Sequence, residues 1–188
     1  KYNLQPGIVS NFKELFKSGY INFHIDMHAV TYKLQNLIDM KYSQTEGISY
    51  TDMEWCFTPM TKVSSGLYLK LPVYRYLMGR PGQTMDVKKK KKQIKQLMKM
   101  TESLAERYTT SYNINYHAYL NFMASSQISI IYKAALIENI ISWDELYTYE
   151  KSIRDKSNEL YEQMDNFLIC KIRYIKLWRK YHNKFFQK

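Results

Sequence analysis

The chain has 188 residues, of which 45% are hydrophobic and 24% charged, and its formal net charge is +11. This length and hydrophobic content suffice to bury a core without covalent staples, and they exclude a disordered chain. The basic excess favours an anionic partner: a nucleic acid, an acidic membrane surface or an acidic protein. The alternative is that the charge serves solubility alone.

Glycine and proline divide the chain into two parts of different character. All six glycines and all four prolines lie before Gln83. Because these residues mark turns, an irregular N-terminal part followed by an almost wholly helical remainder is expected. We therefore predict an all-α fold, a helical bundle of about four main helices in a single domain over 1–188. It comprises N-terminal helices in 1–47, an irregular insertion in 48–85 and a three-helix unit in 86–188.

Two helices are predicted in the first segment. Asn11 and Glu14 form a cap for a short helix, which Gly19 ends or kinks. From Tyr20 to about Tyr42, apolar residues recur at spacings of three and four, which indicates an amphipathic helix.

In the insertion, alternating apolar residues favour a strand, but Pro72 restricts it to an edge strand or an extended loop. We expect at most a small β element here. The alternating residues are Leu67, Leu69, Leu71 and Val73.

Two helices are predicted next, from about Asp86 to Tyr108 and from about Asn113 to Ile141. The second has no charged residue between Ser111 and Tyr132 but carries many polar ones. The polar groups argue against a transmembrane span, and the lack of charge predicts a helix buried on most sides.

One long C-terminal helix is predicted from Ser142 to Lys188. Ser142 and Glu145 match a capping box, and no glycine or proline follows. Such a helix would be roughly 60 Å long at about 1.5 Å per residue. Its first half is acidic, with seven acids and three bases between Trp143 and Asp165.

A run of lysines lies at the start of the helix predicted from Asp86, where cations oppose the helix dipole. Two explanations are open. The run binds an anion such as a phosphate or a lipid head group, or the acidic half of the C-terminal helix neutralises it. The run comprises Lys88, Lys89, Lys90, Lys91 and Lys92.

The last part of the C-terminal helix has seven bases and no acid from Asn166 onward. Its aromatic residues form a stripe beside a cationic row, a pattern used by single-stranded nucleic-acid binders and by interfacial membrane helices. The alternative is that the aromatics are core and the cations are solvated. The predicted partner-binding residues are Lys171, Arg173, Tyr174, Lys176, Trp178, Arg179, Lys180, Tyr181, Lys184 and Phe185.

Chemical motifs are weak throughout the chain. His24 and His28 lie one turn apart on the predicted helix, but two ligands do not make a metal site. Cys56 and Cys170 have neither disulfide-framework nor zinc-site spacing and are interpreted as free thiols, which leaves the redox compartment open. No catalytic residue, cofactor or metal is predicted.

The predicted function is therefore non-catalytic: a binding or scaffolding protein that docks onto a protein partner in a larger assembly. The alternative is a protein that binds RNA or single-stranded DNA through the basic and aromatic C-terminal helix. A third hypothesis is interaction with an anionic membrane surface, without a transmembrane segment.

Overall fold

The computed structural model describes residues 5–11, 26–75, 87–110 and 114–182. The described chain is mostly helical and contains one two-stranded sheet, which confirms the predicted all-α class with a small irregular insertion. The elements in chain order are β1 (Val9–Asn11), α1 (Leu34–Asp39), α2 (Thr51–Phe57), β2 (Ser65–Leu67), α3 (Val87–Thr110), α4 (Ile114–Leu136), α5 (Trp143–Lys156), α6 (Asn158–Gln163) and α7 (Tyr174–His182).

Contacts within the chain define two compact units. Unit 1 consists of 1–85 and 111–120, and unit 2 consists of 86–110 and 121–188. Helix α4 begins in unit 1 and continues in unit 2. The single domain predicted over 1–188 stays a prediction, and each unit is described by itself.

The core of unit 1 is built around α2, a helix inside the segment that was predicted to be irregular. Met53, Cys56 and Phe57 of this helix are buried. The hydroxyl of Tyr119 donates to the Cys56 carbonyl oxygen at 3.0 Å. Burial raises the pKa of the Cys56 thiol to about 12, so this cysteine is a core residue rather than a nucleophile.

The amphipathic helix predicted from Tyr20 to Tyr42 is wrong over 26–33. A short 3-10 turn occupies Met27–Ala29, Val30 is extended, and the α-helix is restricted to Leu34–Asp39. The β-branched residues Val30 and Thr31 disfavour continuous helix. Residues 20–25 of this predicted helix lie outside the described residues. The short helix predicted after Asn11 also lies outside them, and Asn11 belongs to strand β1.

The small β element predicted in the insertion is confirmed. Strand β2 pairs antiparallel with β1, in a register that places Val9 opposite Leu67 and Asn11 opposite Ser65. After Leu67 the chain continues without further strand pairing to Arg75. The edge strand therefore becomes an extended loop before it reaches Pro72.

Unit 2 is organised around α3 and α5, which run parallel. Three contacts follow the two helices in the same direction. The Lys95–Glu145 ion pair lies at the first turn of α5, a 2.7 Å hydrogen bond joins the Thr101 and Tyr149 hydroxyls at its middle, and a Lys156–Glu106 pair lies at its last turn. Three consecutive helices with short connections run up, down and up, so the first and third of them are expected to be parallel, as α3 and α5 are. Core side chains of α3 are Ile94, Leu97, Met100, Leu104, Ala105 and Tyr108.

Helix α4, whose one charged residue is Lys133 near its end, contributes a broad buried surface to unit 2. Its side chains at Ile128, Ile131, Tyr132, Ala134 and Ala135 are fully buried. Burial on adjacent positions is expected for a helix covered on more than one side. The helix begins where it was predicted to begin but ends at Leu136, five residues before the predicted end at Ile141.

The long C-terminal helix predicted from Ser142 to Lys188 is wrong, because the chain breaks twice. Ser157 leaves the helical region with φ −155° and ψ 98°, and its side chain caps α6 by accepting the amide of Leu160. The second break is a tight turn in which Cys170 and Lys171 have φ values of 50° and 66°. Ile169 and Ile172 exchange two backbone hydrogen bonds of 2.9 Å across it, as in a type I′ turn.

Candidate binding surface on the C-terminal helix

The tight turn at 170–171 sends α7 back against α5 and α6, and this packing gives α7 an inner and an outer face. Ile175, Trp178 and Arg179 are buried on the inner face. Lys176 and Lys180 are exposed on the outer face. At about 100° per residue, the three buried positions span one side of the helix, and Lys176 and Lys180 lie about 110° and 150° around the helix from the centre of that side.

The inner face is held by the carboxylate of Glu150, which is 6% exposed on α5. Arg179 Nε donates to its Oε1 at 2.9 Å, and Trp178 Nε1 donates to Oε2 at 3.3 Å. The Tyr132 hydroxyl of α4 also donates to Oε1. Burial, followed by the charge of Glu150, holds the pKa of Tyr132 well above its usual value, so the phenol stays a donor.

The guanidinium of Arg179 is satisfied on its remaining sides. Its Nη1 donates to the Tyr161 carbonyl oxygen and to Asp165 Oδ1, both at 2.7 Å. Its carbon Cζ lies 3.6 Å from the centre of the Tyr161 ring. A buried charge with partners on every side is a structural clamp, and loss of one partner leaves the other uncompensated.

The inner face corrects part of the predicted partner-binding surface. Trp178 is 8% exposed and Arg179 is 9% exposed, so neither presents its side chain to a partner. Tyr174 is half-buried. The alternative interpretation, that the aromatics are core, therefore applies to Trp178, the buried aromatic residue among the described members of the stripe.

The outer face keeps the rest of the predicted set. Lys171, Arg173, Lys176 and Lys180 are exposed. Tyr181 is 57% exposed, and Lys180 Nζ lies 5.5 Å from the centre of its ring. Lys184 and Phe185 lie outside the described residues.

Two aromatic residues of α5 are also exposed in unit 2, and sequence reasoning missed both. Trp143 is 54% exposed, and its ring centre lies 5.3 Å from that of Trp178. Tyr147 follows one turn later and is 51% exposed. The available signal was the i, i+4 spacing of the two aromatics on a capped helix, at positions flanked by polar residues. We name the exposed side chains of Arg173, Lys176, Lys180, Tyr181, Trp143 and Tyr147 the outer surface.

Several lysines at the start of α3 form ion pairs with nearby acids, unlike the exposed lysines of α7. Lys90 pairs with Glu138 at 2.8 Å, and Lys91 pairs with Glu145 at 3.2 Å. Lys95, one turn further on, also pairs with Glu145, at 2.8 Å. Neutralisation by acids within the fold, one of the two explanations for the run, therefore applies to Lys90 and Lys91.

The remaining lysines of the run differ from Lys90 and Lys91 in their ion pairing. Lys89 and Lys92 are exposed, and no salt bridge to them occurs within the described residues. Lys88 belongs to α3, but its side chain is outside the described residues.

Glu145 connects this ion-pair cluster to the start of α5. Its side chain accepts the Ser142 amide at 2.8 Å, and its own amide donates to Ser142 Oγ at 3.1 Å, which confirms the predicted capping box. The hydrogen bond from Lys95, together with that from the Ser142 amide, lowers the pKa of Glu145 to about 2. This carboxylate is therefore ionised at any physiological pH.

The side chains that could support metal chemistry do not converge. His28 lies in the 3-10 turn and stacks on Tyr74 with ring centres 4.1 Å apart, while His24 lies outside the described residues. Across the described ranges, no three metal-ligating side chains come together.

Of the helices in the described ranges, none is both long enough and apolar enough to cross a membrane.

A shallow cleft in unit 2 lies between α4 and the segment that follows α6. Its lining is uncharged and includes Asn121, Ser125, Ser129 and Phe167. It brings no titratable pair together and offers no group suited to acid–base chemistry.

A comparison of the chain with models of known protein families, with curated proteins and with solved structures finds no match.

Proposed function

We propose that the protein is a non-catalytic binding subunit that docks onto an acidic protein surface in a larger assembly, and that the outer surface is its contact. The observation that carries this proposal is the exposure of Arg173, Lys176 and Lys180 on a helix whose inner face is locked by a buried ion pair. A rigid helix presents its side chains without a large ordering cost on binding.

The chemistry of the outer surface supports a protein partner. Tyrosine, tryptophan and arginine are enriched at the centres of protein interfaces, where they contribute most of the binding free energy. Trp143, Tyr147 and Tyr181 supply the aromatic part. No acid occurs after Asp165 in the sequence, so the cations of α7 are complementary to an acidic partner.

Site-specific photo-crosslinking in cells that express the chain natively tests the proposal. A photoreactive amino acid at Lys180 is expected to capture a defined protein, whereas the same residue at Lys99, an exposed lysine of α3, is not. The charge reversal Lys176→Glu should abolish capture at position 180. Equal capture at both positions, or capture that survives the reversal, would overturn the proposal.

The nucleic-acid alternative is favoured by one arrangement, the exposed Tyr181 ring beside Lys180. It has lost support from Trp178, whose burial removes the largest stacking side chain. Fluorescence anisotropy with a 20-nucleotide single strand separates the two functions. Affinity that falls steeply with salt and drops on Tyr181→Ala would favour nucleic acid over protein.

A further inference from the structure

Unit 1 exposes a segment rich in apolar residues, 67–75, which we name the apolar ribbon. Leu69, Leu71 and Val73 are 54%, 61% and 75% exposed, and Leu67 is 51% exposed. The neighbouring residue Val9 of β1 is 66% exposed. Contiguous apolar surface of this kind is rare on a monomeric protein and marks an interaction site.

The backbone of the apolar ribbon is unusual, because it satisfies its own donors where the side chains are most apolar. The Leu71 amide donates to the Leu69 carbonyl oxygen and the Val73 amide donates to the Leu71 carbonyl oxygen, both at 2.9 Å. These are two consecutive γ-turns. The residue between them, Pro72, has no amide hydrogen. From 71 to 73, therefore, no backbone donor has to be stripped of water when the ribbon leaves an aqueous environment.

The same γ-turns argue against a protein strand as the occupant. A partner strand would need free amide donors along the edge, and residues 71–73 offer none. A lipid surface requires no strand pairing from these residues, and at its polar boundary the remaining backbone groups of the ribbon can bond to water and headgroups.

The charges and aromatic residues of the apolar ribbon favour a lipid bilayer as the apolar layer that it contacts. Between Trp55 and Arg75 there are three bases, Lys62, Lys70 and Arg75, and no acid. Tyr68 and Tyr74 flank the most apolar stretch. Tyrosine at the edges of an apolar segment, with lysine and arginine beside it, is the arrangement favoured at the headgroup level of a bilayer containing anionic lipid.

We propose that the apolar ribbon inserts into the surface of an anionic lipid bilayer, with Leu69, Leu71 and Val73 below the headgroups and Lys70 and Arg75 against the lipid phosphates. This is contact with one face of the bilayer, distinct from a transmembrane span. It is independent of docking through the outer surface, since it uses residues of unit 1 alone.

Vesicle co-sedimentation of the full chain tests the insertion. With vesicles of phosphatidylcholine and one third phosphatidylserine, the Leu71→Ser/Val73→Ser variant is expected to partition at least about tenfold more weakly than the unaltered chain. Leu34→Ser is the matched control, because Leu34 is 69% exposed on α1 and should change partitioning less than about twofold. Pure phosphatidylcholine should bind the unaltered chain at least about tenfold more weakly than the anionic vesicles.

A fluorescent label shows whether the ribbon itself enters the bilayer. In a Cys170→Ser background, Cys56 is buried, so Val73→Cys carries the single accessible thiol. An environment-sensitive dye at position 73 should shift to shorter wavelength on adding anionic vesicles, while the dye at Leu34→Cys should not. Anionic-vesicle binding without the shift at 73, binding unaffected by Leu71→Ser/Val73→Ser, or no binding at low salt would each overturn the insertion.

Discussion

The two basic regions of unit 2 differ in what lies next to their charges. At the start of α3, Lys90, Lys91 and Lys95 lie within 3.2 Å of carboxylates supplied by the start of α5 and the loop before it. On α7, the basic residue with carboxylate partners is the buried Arg179, and the exposed lysines have no salt bridge among the described residues. A similar density of positive charge is therefore paired with acids in one region and exposed to solvent in the other.

The largest effect on stability is expected from replacing Arg179, whose ion pair with Glu150 holds α7 against α5. Arg179→Met keeps the apolar length of the side chain but leaves Glu150 buried without its cation. We expect a loss of about 3–5 kcal/mol in the free energy of unfolding, measured by urea denaturation. The double variant Arg179→Met/Glu150→Leu should recover much of this loss. Equal stability of the single variant and the unaltered chain would contradict the role of α7's inner face.

An intermediate effect is expected from Glu145→Gln, which removes the charge shared by Lys91 and Lys95 and weakens the cap of α5. The loss should be about 1–2 kcal/mol, because the side chain is partly solvated and surface pairs are weak. Asp155→Asn, an exposed acid near the end of the same helix, is the matched control and should change stability by less than about 0.5 kcal/mol.

The same carboxylate predicts a pH dependence. The pKa of Glu145 is lowered from 4.5 to about 2 in the folded chain. Its contribution to stability is therefore complete above pH 4.5 and is lost as the pH falls from there toward 2. Urea denaturation at pH 6 and pH 3 should show a smaller difference between the two pH values for Glu145→Gln than for the unaltered chain. An identical pH difference would show that the cluster contributes nothing.

The smallest effect on stability is expected on the outer surface. Lys176→Gln/Lys180→Gln should change the free energy of unfolding by less than about 0.5 kcal/mol, because neither lysine forms a salt bridge within the part of the chain that the structure describes. The equivalent change at the start of α3, Lys91→Gln/Lys95→Gln, should cost about 1 kcal/mol. Urea denaturation of the two double variants side by side measures the contrast. If the α7 pair proved the more costly, those lysines would belong to the fold rather than to a binding surface.

Local sequence rules predicted much of unit 2. The spacing of apolar residues predicted α3 and α4, and the Ser142–Glu145 pair predicted the start of α5. These features depend on residues within one or two turns of each other, so they can be read without knowledge of the fold. Pro72 likewise indicated correctly that the β element of the insertion would be small.

The errors occur where contacts distant in sequence override local preference. The break between α5 and α6 at Ser157, and the turn at Cys170 and Lys171, carry neither of the usual signals, glycine and proline. The non-glycine residues in the turn adopt positive φ, which is unfavourable in isolation and persists only where surrounding structure compensates for it. The Glu150–Arg179 pair, 29 residues apart, returns α7 to the core.

The sequence by itself determined the helical class, the capped start of α5 and the absence of acids after Asp165. Tertiary structure alone decided which cations are neutralised and which aromatics are buried. A helical periodicity defines which residues share a face, but whether that face meets protein or water depends on what the rest of the chain brings against it. For α7, the buried carboxylate of Glu150 accepts hydrogen bonds from Trp178 and Arg179, which places both on the inner face. Lys176, Lys180 and Tyr181 are exposed as a result.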